Sequence, residues 1–269
     1  MEKLQSSIET MICCITEILA SCAPSIYIYG SLVLDDFKFG WSDIDLLVLT
    51  QNKISDEQAQ QLVGLRQTLL EKEPQNPYYR SFEGGMLTLE TFLTGKADTV
   101  VYWGTSGERI TDRYVFDAFS MCELLEHGVL LYGNDIRNRL SHPDFDELRE
   151  NVRRHYETIR KYGRLSGRSL YTFGWLLDIS RCIYTLRTGK IIAKTAAGEW
   201  ARKEKICPCE NVLARAIEIR KEPMQYKKHV LESDDVKWVT DGIQQYADVL
   251  EGELARADLS GSSGGEGGK

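Results

Sequence analysis

Gly30-Ser31 closes an apolar run, Ile26-Tyr27-Ile28-Tyr29, and twelve positions after Ser31 the pair Asp43 and Asp45 opens a second run, Ile44 to Leu49. Side chains along a strand alternate between faces, so the two acids point the same way while Ile44 and Leu46 point the other. Two like charges that close are unfavourable unless a cation neutralises them or one takes up a proton. Mg²⁺ fits, because it takes oxygen ligands, keeps several waters and is held by one or two carboxylates together with substrate phosphates. Gly30 lets the backbone approach a ligand closely, and successive N–H groups in such a turn make an anion-binding concavity, with the Ser31 hydroxyl as a further donor. Singly, each feature is a common turn or capping element. Jointly, with both acids on one face, they describe a site for a nucleoside triphosphate and its metals.

The elements that must carry this site are readable in outline. Leu4, Ile8, Met11, Ile12, Ile15, Ile18 and Leu19 recur at helical spacing, and Pro24 ends that helix. A second helix starts at Asp56-Glu57, carries Leu62, Leu65, Leu69 and Leu70 on one side, and breaks near Glu73 before Pro74 and Pro77. Residues Asn76 to Gly85 read as an exposed loop, and Met86 to Leu93 as a third strand. An acid in the middle of a strand is out of character, which makes Glu90 the candidate third carboxylate and general base, with Glu83 the rival position. Asp98 to Trp103 reads as a further strand or extended loop, Asp112 to His127 as a helix, and Val129 to Gly133 as a short closing strand.

From about Ser141 the pattern turns helical, with helices expected over Asp144–Tyr162, Ser169–Leu186, Ile192–Arg202, Asn211–Lys221 and Asp234–Glu253. Breaks containing Gly163, Gly167, Gly189, Pro208 and Pro223 separate them. The expected organisation is α+β: a catalytic domain over 1–140 built on a small mixed sheet with flanking helices, a helical bundle over 141–258, and a disordered Gly/Ser-rich tail over 259–269.

The balance of 33 basic against 40 acidic residues, a net charge of −7, argues against a long nucleic acid as partner and suits a small or cationic one. No stretch reads as a signal peptide or membrane span, so a cytoplasmic protein is expected. Of the seven cysteines only Cys207-Pro208-Cys209 is clustered, without the second pair a structural zinc site needs, and reduced thiols are expected.

The Gly30-Ser31 step and Asp43-Ile44-Asp45, each in its apolar run, resemble the signature of the DNA polymerase β-like nucleotidyltransferases. Ile179-Ser180-Arg181-Cys182-Ile183-Tyr184, then Thr188 to Lys194 and Glu199-Trp200-Ala201, resemble the helical domain of the streptomycin and spectinomycin adenylyltransferases within that superfamily. The resemblance runs from about Ile26 to Glu253. It implies AMP transfer from ATP, with two Mg²⁺ ions on Asp43, Asp45 and Glu90, to a hydroxyl of a small acceptor such as an aminoglycoside antibiotic. It also implies that Gly30 and Ser31 grip phosphates, and that Arg181 and Lys194 pair with the nucleotide's charge. The same chemistry on a protein or RNA acceptor, or a binding module without catalysis, are the alternatives. Where those enzymes carry acidic and polar residues shortly before the Arg181 position, this chain has Leu170-Tyr171-Thr172-Phe173-Gly174-Trp175. The departure bears on the acceptor, with Trp103, Tyr171 and Trp175 as candidate lining aromatics.

Overall fold

The computed structural model describes residues 2–104, 107–165, 169–227 and 231–262. The chain divides into two compact units: residues up to Leu34 with Ser42–His142, and Asp35–Trp41 with Pro143 and the residues after it.

The first unit runs α1 (Glu2–Ile18), β1 (Pro24–Tyr29), β2 (Ile44–Thr50), α2 (Asp56–Lys72), β3 (Phe82–Thr88), α3 (Leu89–Thr94), β4 (Val100–Gly104), β5 (Gly107–Thr111), α4 (Ala118–His127) and β6 (Val129–Tyr132). Its six strands form one mixed sheet in the order β5-β4-β3-β2-β1-β6. Among the described residues only β2 and β3 pair in parallel. A parallel pair requires a crossover, which α2 supplies, entered through a capping box in which Ser55 and Gln58 satisfy each other's backbone N–H groups. One sheet face packs against α2, where the buried Trp103 indole donates to the Leu62 carbonyl at 3.0 Å. The other face gathers Tyr27, Tyr29, Leu47, Leu49 and Leu87 against Leu124 of α4 and Ile136.

Three sequence expectations shift here. The strand expected over Met86–Leu93 lies earlier, at Phe82–Thr88, and α3 follows it, because the Thr88 hydroxyl accepts the Thr91 N–H and starts a helix. Asn76–Gly85 is therefore a loop only as far as Ser81, where a short 3₁₀ turn leads into β3. The helix expected from Asp112 starts only at Ala118, since Asp117 caps it through the Ser120 N–H. The edge strand β5 escaped notice because its exposed Glu108, Arg109 and Ile110 lack an apolar alternation.

The second unit is helical: α5 (Phe145–Tyr162), α6 (Gly174–Thr188), α7 (Lys194–Lys203), α8 (Glu210–Lys221), the single turn α9 (Pro223–Tyr226) and α10 (Ser233–Ser262). Leu148, Val152 and Ile159 of α5, Leu176, Ile179 and Ile183 of α6, and Ile243, Tyr246 and Leu250 of α10 recur at three- and four-residue spacings and are buried. The start of the tail read as disordered is instead helical, since α10 continues to Ser262. Gly167 and residues 263–269 lie outside the described residues. No helix among the described residues is long and apolar enough to cross a membrane.

Gly84 fixes how closely β2 and β3 approach. Its φ is +148°, and a Cβ there would run into the Leu46 carbonyl. Gly84→Ala is expected to destabilise the protein by roughly 2–4 kcal/mol, read as a lowered urea midpoint at unchanged slope; an unchanged midpoint contradicts this account.

Candidate active site

The sheet register builds the first cluster. Tyr29 of β1 stands opposite Asp45 of β2, and Asp45 stands opposite Glu83 of β3, so the three side chains share one face at one end of three adjacent strands. Asp43 sits just before β2, two positions from Asp45. Gly30 follows Tyr29 at φ +72°, opening a 3₁₀ turn over Gly30–Leu32. A Cβ on Gly30 would overlap the Asp45 carboxylate, so only glycine permits this approach. Next to it, the Ser31 hydroxyl is buried with no hydrogen-bond partner. An orphaned donor beside a carboxylate pair is the kind of exception that a bound anion or ion explains.

Glu90 does not join this group. It lies in the first turn of α3, 73% exposed at its side chain, and pairs with Lys96 at 3.4 Å. Asp45 and Glu83 pair near the start of their strands and Thr50 and Thr88 pair at the far end, which puts Glu90 about 17 Å further along the sheet. The third carboxylate beside Asp45 is Glu83. Its signal was present in the sequence but masked by Gly84-Gly85, which made the strand's first half look like a loop.

Two tyrosines border the acids. The Tyr114 ring covers Gly85, where a Cβ would strike it, and Tyr114 and Tyr29 share a hydrogen bond. Burial above all, with the Asp45 charge adding to it, pushes both hydroxyls well above the ordinary tyrosine value. They are therefore neutral near pH 7. Trp103, considered as an acceptor-lining residue, is instead fully buried core.

The second unit holds a separate charged cluster. Asp178 of α6 lies 3.0 Å from the Lys194 ammonium and 3.6 Å from the Arg181 guanidinium, one turn along its own helix. Burial alone would raise the Asp178 carboxyl, but Lys194 and Arg181 outweigh it and hold the group below its usual value. Arg220 of α8 is 3% exposed and donates to the Asp36 backbone carbonyl at 3.1 Å, with its side-chain oxygen at 3.4 Å. Burial pulls the Arg220 guanidinium down and Asp36 pulls it back. Trp41 lies against this guanidinium at 5.7 Å and against the exposed Tyr171 ring at 5.2 Å, while the Tyr171 hydroxyl donates to the Gly40 carbonyl. Trp175 is half-buried.

Elsewhere, Cys122, Glu126 and His142 bring potential ligand atoms within 4.8 Å of one another, yet Glu126 and His142 already satisfy each other at 2.7 Å. None of the seven cysteines is in a disulfide, and burial pushes the Cys207 thiol up to about 12.

Residues 145–245 match the sequence model of the family described as aminoglycoside adenylyltransferase, C-terminal domain. No curated protein sequence matches the chain. Among solved structures, the spectinomycin adenyltransferase AAD(9) from Enterococcus faecialis, determined with ATP and spectinomycin, superposes with a TM-score of 0.64 at 17% identity. The match covers 92% of this chain and 99% of that one. The likeness at this identity is one of fold: an N-terminal mixed sheet with helices followed by a helical region.

A depressed carboxyl contributes stability that is complete above its unfolded-state value, roughly 3.9, and is lost as pH falls through the lower folded value. Asp178→Asn should therefore flatten the acid limb of thermal stability below about pH 4 while lowering stability at pH 7, where Lys194 and Arg181 lose their counter-ion. An acid limb identical to wild type contradicts the pairing.

Proposed function

We propose that this chain, whose helical domain and fold are those of the adenylyltransferase enzymes, transfers AMP from ATP to a hydroxyl of an aminoglycoside-class antibiotic. The observation that carries the reading is the convergence of Gly30, Ser31, Asp43, Asp45 and Glu83 at one end of β1, β2 and β3. The domain match over 145–245 supports the acceptor class, and the acidity of the chain suits a cationic acceptor.

The residues fit a divalent cation. Asp45 and Glu83 are nearest neighbours across the sheet, Asp43 is two positions away, and like charges so placed favour a shared cation. Bound there, two Mg²⁺ ions would neutralise these carboxylates and withdraw charge from the phosphate being attacked. Gly30 admits the phosphates close to the backbone and the unpartnered Ser31 hydroxyl donates to one of them. Glu83 takes the proton of the acceptor hydroxyl as its oxygen bonds to the α-phosphorus and the bond to pyrophosphate breaks. Arg181 and Lys194 offset charge on the pyrophosphate that leaves, with Asp178 as their counter-ion at rest. A reaction that consumes ATP belongs in the cytoplasm, and its modified product would confer antibiotic resistance.

The reading is tested by mass spectrometry of an aminoglycoside panel including streptomycin and spectinomycin, incubated with purified protein, ATP and Mg²⁺. An adduct of one AMP per acceptor is expected, and EDTA should abolish it. Glu83→Gln should lower turnover on the order of 10²–10⁴-fold, and Asp43→Asn or Asp45→Asn at least as much, with thermal melts showing the fold intact. Glu90→Gln should leave turnover near wild type. Full activity in Glu83→Gln, or no adduct with any acceptor although ATP binds, would sink the assignment.

A further inference from the structure

We propose that Asp36 is a positioning residue for Lys194, acting as the N-terminal cap of α7 from a distant part of the chain. The inference rests on the reading of Lys194 as a phosphate partner.

Helix α7 begins at Lys194, directly after Ala193, and Ala193 makes no side-chain cap. Alanine is among the poorest residues at that position, because the first backbone N–H groups of a helix have no partner within it. The missing acceptor comes from 159 positions earlier: the Asp36 carboxylate accepts the Thr195 N–H at 3.2 Å. A carboxylate suits the place electrostatically as well, facing the positive end of the helix dipole.

The carboxylate is itself held on several sides. Asp36 is 4% exposed, Arg220 lies 3.4 Å from the oxygen that accepts from Thr195, and the Lys38 ammonium lies 3.9 Å from the other oxygen. A buried carboxylate with partners on several sides is held in place. It is anchored through its cations and the helix start, so its part is to locate other groups. Lys194 is one residue from the N–H that Asp36 binds, and its ammonium reaches Asp178 on α6 at 3.0 Å. Asp36 thus sets where α7 begins, and with it where the Lys194 side chain leaves the backbone. Asp35–Trp41 is the connection between the Gly30-Ser31 turn and the Asp43-Asp45 pair, so the segment that links the phosphate-gripping and metal-holding parts also fixes the cation.

The test is a thermodynamic cycle on the full chain, reading ATP affinity by isothermal titration calorimetry in Mg²⁺, which needs no acceptor. Lys194→Ala should weaken ATP binding. Asp36→Ala should weaken it about tenfold, Asp36→Asn less, because its amide oxygen still accepts the Thr195 N–H. In the Lys194→Ala background Asp36→Ala should cost nothing further, since both changes act through the same ammonium. An equal loss in both backgrounds, or unchanged affinity in Asp36→Ala, overturns the positioning role and leaves the phosphate role of Lys194 standing. Unchanged affinity in Lys194→Ala overturns the phosphate reading and this inference with it. If Asp36→Ala fails to fold with Arg220 left unpaired, the same cycle with Asp36→Asn decides.

Discussion

The parallel pairing of β2 with β3 is the constraint from which the first unit's acidic cluster follows. It alone puts Asp45 beside Glu83, and a shift of one residue would send one of the two to the opposite face. Folding that places two carboxylates side by side works against electrostatics, so the register has to be secured by something else. The apolar side chains further along the same strands do this: Leu46 to Leu49 and Met86 to Leu87 are buried on both faces of the sheet. The repulsion is confined to one end, and the hydrophobic length of the strands outweighs it.

Much of this was legible in the sequence, for physical reasons that differ by element. The signature was plain because Gly30, Ser31, Asp43 and Asp45 interrupt strongly apolar runs, and a polar residue that breaks such a pattern stands out. The long helices were plain because their apolar spacing persists over several turns. Glu83 was harder. Two glycines follow it, so its strand has no alternating side chains to announce it, and Glu90 drew attention by sitting in an apolar stretch whose real signal was the Thr88 cap. The polar β5 strand is held by its neighbour β4, and nothing in its own residues predicts it.

The helical unit presents a different problem, since buried charge there must be matched group by group. Arg181, Lys194 and Arg220 are balanced by Asp178 and Asp36. Sequence reading found Arg181 and Lys194 through the family resemblance, but it did not single out Asp36. A loop residue 159 positions from its partner leaves no periodic trace. Asp178 was equally silent, because an acid one turn before an arginine on a helix is ordinary surface chemistry until the fold buries it.

The chain passes between its two compact units three times, at Leu34 to Asp35, at Trp41 to Ser42 and at His142 to Pro143. A gene cut after His142 would therefore not release two autonomous modules. The downstream piece would carry Arg220 without Asp36, the acid that it hydrogen-bonds, and α7 without the acceptor for its Thr195 N–H. The upstream piece would keep residues 35–41 with nothing to bury Asp36. The two units are therefore not successive beads on the chain, and a cut between them in sequence is not a cut between them in structure.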